Sequence, residues 1–210
     1  MLLDKYDIVI LDCDGVIFDS NFLKVEAFKR VLSEYDPALV ESFLEYFKNN
    51  FGTSRYSLAR VFLEEFVEVE FDEHTYRGIL SRFGDHCVRL YSEASYTASF
   101  LKFLEKYKNK DLFVASGSDE AELRAVFQQK KIAKYFKSIG GSPTKKTELV
   151  KVICDENHDK SIVMIGDAKS DFSACQDNNI AFVFMKEFSM SQEMLSDTDL
   201  NSIFNLGDLV

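Results

Sequence analysis

Residues Tyr6 to Ser20 read YDIVILDCDGVIFDS, an apolar run from Ile8 to Leu11 that ends on Asp12 and Asp14 with one cysteine between them. Consecutive apolar residues without alternation suit a strand buried on both faces of a parallel sheet. Two carboxylates at the end of such a strand repel each other unless a cation shares their site. The rest of the chain must supply the groups that meet them there.

Other short runs have the same character: DLFVAS (Asp111 to Ser116), FKSIG (Phe136 to Gly140), SIVMIG (Ser161 to Gly166) and IAFVF (Ile180 to Phe184). Between them lie stretches with apolar residues at helical spacing: Tyr96 to Lys108, Asp119 to Lys130, and Lys145 to Asn157. Strand and helix in alternation predict right-handed crossovers and a doubly wound α/β domain with a mostly parallel sheet. Such sheets bind ligands beyond the carboxyl ends of their strands.

From Ser20 to Tyr91 the rhythm breaks. Phe43, Leu44 and Phe47, then Leu58, Val61, Phe62 and Phe66, recur at helical spacing and no strand is evident. The interval is far too long for a loop inside a compact domain. It is expected to be a helical cap, residues 20–91, inserted after the first strand of a core formed by residues 1–19 and 92–210. After Phe184 the pattern assigns no element.

Composition narrows the function classes. With 46% hydrophobic residues and 20 Phe in 210, the chain has ample material for a core. The net charge of −10, with no run of Lys and Arg, argues against nucleic acid. Cys13, Cys87, Cys154 and Cys175 lie far apart, as do His74, His86 and His158, so neither zinc nor a disulfide framework is expected. The first apolar run is too short for a signal segment and is flanked by acids. No stretch approaches membrane-spanning length, and a cytoplasmic protein without a membrane partner is expected.

Each carboxyl end carries polar groups: Asp12-Cys13-Asp14-Gly15, then Ser116-Gly117-Ser118, then Gly166-Asp167-Ala168-Lys169-Ser170-Asp171. Singly, each is explained by a turn or a helix cap. Together, a parallel sheet would bring Asp12, Asp14, Asp167 and Asp171 to one crevice. Such a nest calls for a hard cation with oxygen ligands, as Mg²⁺ prefers. In GGSPTKKTEL, Lys145 or Lys146 would lie near the same edge, able to hold an anion or neutralise the carboxylates.

DCDGV, SGS, a lysine in GSPTKKTEL and GDAKSD, in that order, resemble the four motifs of the haloacid dehalogenase-like superfamily of phosphohydrolases, with a helical cap where one cap type of that superfamily sits. The resemblance implies Asp12 as nucleophile, forming an aspartyl-phosphate, and Asp14 as acid toward the leaving group and base toward water. It implies Ser116, with Gly117 beside it, and Lys146 as the phosphate clamp. The register P-x-x-K-x-E-L favours Lys146 over Lys145. Mg²⁺ would sit on Asp12, the main-chain carbonyl of Asp14, and Asp167, with Asp171 supporting the metal's waters or the lysine. Dehalogenase chemistry is not implied, since those enzymes lack the second aspartate.

In the cap, FGTSRYSLARVF is similar to the cap loop of the β-phosphoglucomutase branch. Arg55 is then a candidate for gripping a second anionic or hydroxylated part of the substrate. Its alternative is a helix-start residue pairing with Glu64, Glu65 or solvent. Lys24 stands where those mutases place a histidine, which speaks against mutase chemistry. It would bind an acidic substrate or occupy one polar position of an amphipathic helix. The expected activity is Mg²⁺-dependent hydrolysis of a small phosphorylated metabolite such as a sugar phosphate, with phosphoglycolate phosphatases as near relatives. A phosphomutase and a non-catalytic protein that kept the fold are the alternatives.

Overall fold

The computed structural model of the chain describes residues 2–197 and 199–210. Its sheet is built on β1 (Ile8–Leu11), which lies between β2 (Asp111–Asp119) and β4 (Ile162–Gly166). With β3 (Ser138–Ser142), β5 (Ala181–Met185) and β6 (Ser202–Ile203), the order among the described residues is β3-β2-β1-β4-β5-β6, every neighbouring pair parallel. Leu11 stands opposite Val114 on one side and Ile165 on the other. The residues that follow these three strands therefore leave the sheet at one edge, beside the point where the connections diverge.

The interval between β1 and β2 is helical. It holds α1 (Asn21–Val31), α2 (Pro37–Asn49), α3 (Arg55–Val61), which runs into a π-helical turn at Phe62–Phe66, and α4 (Glu73–Glu93). Side chains cap the starts of α2 and α4, as Ser54 caps that of α3. The Asp36 carboxylate accepts from Ala38 N at 2.9 Å with Pro37 in the first helical position, and Asp72 accepts from Thr75 N at 2.8 Å. Their inner faces interlock through aromatic rings. Phe28 stacks on Phe83 at 3.9 Å between centroids and meets Phe47 edge-on at 5.1 Å, while Phe43 meets Phe62 at 5.0 Å.

Helices α5 (Phe100–Tyr107), α6 (Glu120–Gln129), α7 (Lys146–Glu156) and α8 (Lys169–Asp177) cover the sheet, and α9 (Gln192–Ser196) precedes β6. Alternation along β1 divides the core. Ile8 and Ile10 pack with Val150 and Ile153 of α7 and Ala174 of α8. Val9 and Leu11 face the larger cluster, which includes Phe103 of α5, Phe127 of α6 and the aromatic interior of the inserted helices. Both faces of β1 are thus dry, as its uninterrupted apolar run requires.

The structure differs from the sequence expectation at several edges. The third strand lies two residues later than FKSIG, because Phe136 follows a short 3₁₀ turn (Ala133–Tyr135) and packs against Phe127 at 5.4 Å. Strand β2 continues past Ser116 to Asp119, with a register shift between Ala115 and Asp119. The helix expected from Tyr96 begins at Phe100, since Tyr96 forms an isolated bridge with Phe18 and Thr97 donates to Val16 O at 2.5 Å. The segment after Phe184 pairs a two-residue edge strand, β6, with β5, too short to leave a periodic signal. Among the described residues, no helix is long and apolar enough to cross a membrane.

Candidate active site

Asp12 follows β1 directly, and its amide donates to Ile165 O at 3.0 Å, extending the ladder to the base of the crevice. Its carboxylate is buried, with Lys146 Nζ 3.1 Å from Oδ1, an oxygen with no hydrogen bond of good geometry. Lys146 is the first residue of α7 and is itself buried, while Lys145 before it is exposed. The same ammonium lies 2.5 Å from Asp171 Oδ1. The other oxygen of Asp171 accepts from the amides of Ala168 at 3.0 Å and Asp167 at 3.2 Å, so both are engaged.

One oxygen each from Asp12, Asp167 and Asp171 falls within 4.8 Å of the others. Burial, then the neighbouring Asp171, pushes the Asp12 carboxyl up to about 7 despite Lys146. Burial and the charges of Asp12 and Asp171 raise Asp167 well above the usual carboxylate range. One lysine does not neutralise three carboxylates, so the donor set fits a hard divalent cation. Asp12, with its unbonded oxygen, and Asp167 would hold it. Asp171, already committed to Lys146 and two amides, stands behind them.

Gly15 permits this closeness. Its φ of +77° favours glycine, and a Cβ there would lie 2.2 Å from Asp167 Oδ2. Asn21 Nδ2 donates to that oxygen at 2.6 Å and to Phe188 O at 3.0 Å, fixing the carboxylate's orientation.

Asp14 faces a different set of partners. Its carboxylate accepts from Ser20 Oγ at 2.6 Å, Tyr91 OH at 2.8 Å, Ser118 Oγ at 2.7 Å and Lys24 Nζ at 2.5 Å. Burial opposes its ionisation, but the Lys24 charge and these donors outweigh burial and hold its carboxyl below the usual value. Its side chain is outside the cluster formed by Asp12, Asp167 and Asp171. Ser20 is the residue before α1, yet its hydroxyl caps no helix amide because Asp14 takes it.

Lys24 is therefore not a solvated position of an amphipathic helix. It is buried, and Nζ contacts both Asp14 and Ser118 Oγ. Arg55 likewise meets neither Glu64 nor solvent. It is buried, with Nη1 2.7 Å and Nη2 2.5 Å from the two oxygens of Glu122 on α6, while Arg60 takes Glu64.

Ser116 is fully buried, and its Oγ accepts from Ser118 N at 3.1 Å. Gly117 sits directly under the inserted helices, where a Cβ would lie 2.1 Å from Gly52 O. A cavity of about 20 Å³ is lined by Asp12, Asp14 and Gly117 together with Phe28, Phe47, Phe51, Leu58 and Phe83. Lys24 and Arg55 also line it.

The sequence reading did not assign Ser20, Asn21, Tyr91 or Glu122 to the site. Ser20 and Asn21 carried a signal, directly after the first motif. Tyr91 and Glu122 carried none, because their roles arise from segments far along the chain.

The sequence matches the family model of the haloacid dehalogenase-like hydrolases over residues 9–185. The chain belongs to that family, with an α/β core and a helical cap inserted after β1. Its fold is similar to a structure described as a predicted phosphatase from Clostridium acetobutylicum, at 21% identity and TM-score 0.73, covering 97% of this chain and 96% of that one. A β-phosphoglucomutase from Clostridium difficile is similar at 18% identity and TM-score 0.74, over 98% and 93%. A structure described as a predicted phosphoglycolate phosphatase from Haemophilus somnus is similar at 13% identity and TM-score 0.73, over 99% and 97%. No curated protein matches the sequence.

Proposed function

We propose that this hydrolase is a Mg²⁺-dependent phosphatase that releases phosphate from a small phosphorylated metabolite through an aspartyl-phosphate on Asp12. The observation that carries it is Asp12 itself: a buried carboxylate at the end of the central strand, with one oxygen unbonded, a lysine ammonium 3.1 Å away and a cavity in front.

Asp12 attacks phosphorus as the bond to the leaving oxygen breaks, and Lys146 and Ser116 hold the phosphoryl oxygens, with Gly117 beside them. A bound Mg²⁺ would add positive charge against those oxygens, held by Asp12, the Asp14 carbonyl and Asp167, with Asp171 behind. Asp14 gives a proton to the leaving alkoxide and takes one from the water that cleaves the aspartyl-phosphate. An ionised Asp14 ringed by donors corresponds to the second half of that cycle. Lys24 and Arg55 form part of the wall that the leaving group meets.

Residues 20–91 would act as the cap and residues 1–19 and 92–210 as the core. Where Arg55 meets Glu122, Tyr56 OH also donates to Asp119 at 2.8 Å and Ser170 Oγ to Phe51 O at 3.0 Å. These contacts hold the cap against the core, and water is excluded from the cavity when they form.

The test measures phosphate release from a panel of monoesters by the wild type and Asp12→Asn, with Mg²⁺ and with a chelator. Release that needs both the metal and Asp12 supports the reading. A folded protein that binds Mg²⁺ and releases nothing would sink it and favour a non-catalytic role.

A further inference from the structure

We propose that the group esterified to the phosphate is small, uncharged and mostly apolar, a short alkyl alcohol in chemical class rather than a polyol or a hydroxy acid. This rests on the phosphatase reading and concerns the same cavity.

Much of the lining of this cavity is carbon. Phe28, Phe47, Phe51, Leu58 and Phe83 supply it, and the rings are locked together, with Phe47 stacked on Phe51 at 4.6 Å and Phe28 on Phe83 at 3.9 Å. A polyol bound there would leave hydroxyls desolvated against rings that cannot hydrogen-bond them. The side-chain hydroxyls among the described lining residues are Thr53 and Ser118, and Ser118 is engaged by Asp14, Lys24 and Tyr91.

Cations are present in the wall, but their charge is already matched. Lys24 lies on Asp14. Arg55 spends both terminal nitrogens on Glu122 and sets its guanidinium over the Phe83 ring at 5.1 Å. A second anionic group on the substrate would have to displace a buried carboxylate from one of these pairs.

The experiment compares kcat/KM of the full-length, Mg²⁺-loaded protein for three monoesters of similar chain length: n-propyl phosphate, glycerol 3-phosphate and phosphoglycolate. The expected result is a preference of about tenfold or more for the propyl ester, the scale of a pocket that rejects groups it cannot pair. The hydroxyl and carboxylate make the other two alcohols better leaving groups, so intrinsic reactivity works against this outcome. In Glu122→Gln, which releases Arg55, phosphoglycolate should gain relative to the propyl ester. Asp12-dependent turnover that favours glycerol 3-phosphate or phosphoglycolate overturns the inference and leaves the phosphatase reading standing. No Asp12-dependent turnover of any of the three by a folded, Mg²⁺-binding protein counts against both.

Discussion

Arg55, the first residue of α3, and Glu122, in the first turn of α6, meet through two parallel contacts of 2.7 and 2.5 Å. One belongs to the inserted helices and the other to the α/β core, so the pair ties together layers that the chain separates by 67 positions. Planar two-pronged pairs with little solvent are stronger than exposed ones. A double-mutant cycle of Arg55→Met and Glu122→Gln in urea should therefore give a coupling of about 1 to 3 kcal/mol. Additive effects would show that the pair does not hold the two layers together.

Metal-free protein should lose stability as pH rises from about 4 to about 7. The Asp12 carboxyl is raised to about 7 in the folded state, from an ordinary value of 3.8. Across that window the native state binds more protons than the unfolded chain, so unfolding becomes easier by up to about 1.4 kcal/mol per pH unit for this one group. Asp167 shifts in the same direction. Asp14, lowered, acts only below its ordinary value, where its contribution is lost as pH falls. Thermal melts in chelator at pH 5 and pH 8 check this, and Mg²⁺ should restore most of the loss at pH 8.

Asp12→Asn should abolish phosphate release and, in chelator at pH 8, melt higher than the wild type. The substitution keeps the shape of the side chain while removing one of three crowded carboxylates. A lower melting temperature under those conditions would mean that the Lys146 contact outweighs the repulsion.

Lys24→Met should destabilise the fold by about 3 to 5 kcal/mol, because Asp14 would stay buried with its charge unmatched. Tyr91→Phe removes a single hydroxyl from the same carboxylate and should cost about 1 kcal/mol. Urea denaturation of both variants separates an ion pair from a hydrogen bond. Equal and small losses would argue that Asp14 relies on Ser20 and Ser118 instead.

Much of the architecture was legible because it depends on short-range pattern. The dry run Ile8 to Leu11, the alternation of strands and helices after Tyr96, and an interval too long to be a loop sufficed for a parallel sheet with a helical insertion. Asp12 and Asp167, each directly after a strand, and Asp171, in the first turn of α8, converge because parallel strands share a polarity, which follows from topology without side-chain detail. Strand ends were harder to place. The shift of β3 and the existence of β6 depend on pairing with β2 and β5, and neither leaves a periodic trace of its own.

For the polar residues in the inserted helices, the sequence determined their chemistry but not their surroundings. In NFLKVEAFKR, Lys24 looks like a solvent-facing lysine, and helical periodicity says only which residues share its face. Whether that face meets water or Asp14, Tyr91 and Ser118 is decided by segments 10, 67 and 94 positions away. Arg55 is the same case, a local helix start turned into a cross-layer clamp by Glu122. Burial of a charge depends on what is packed opposite it and on whether a counter-charge is there, and packing is a property of the folded chain.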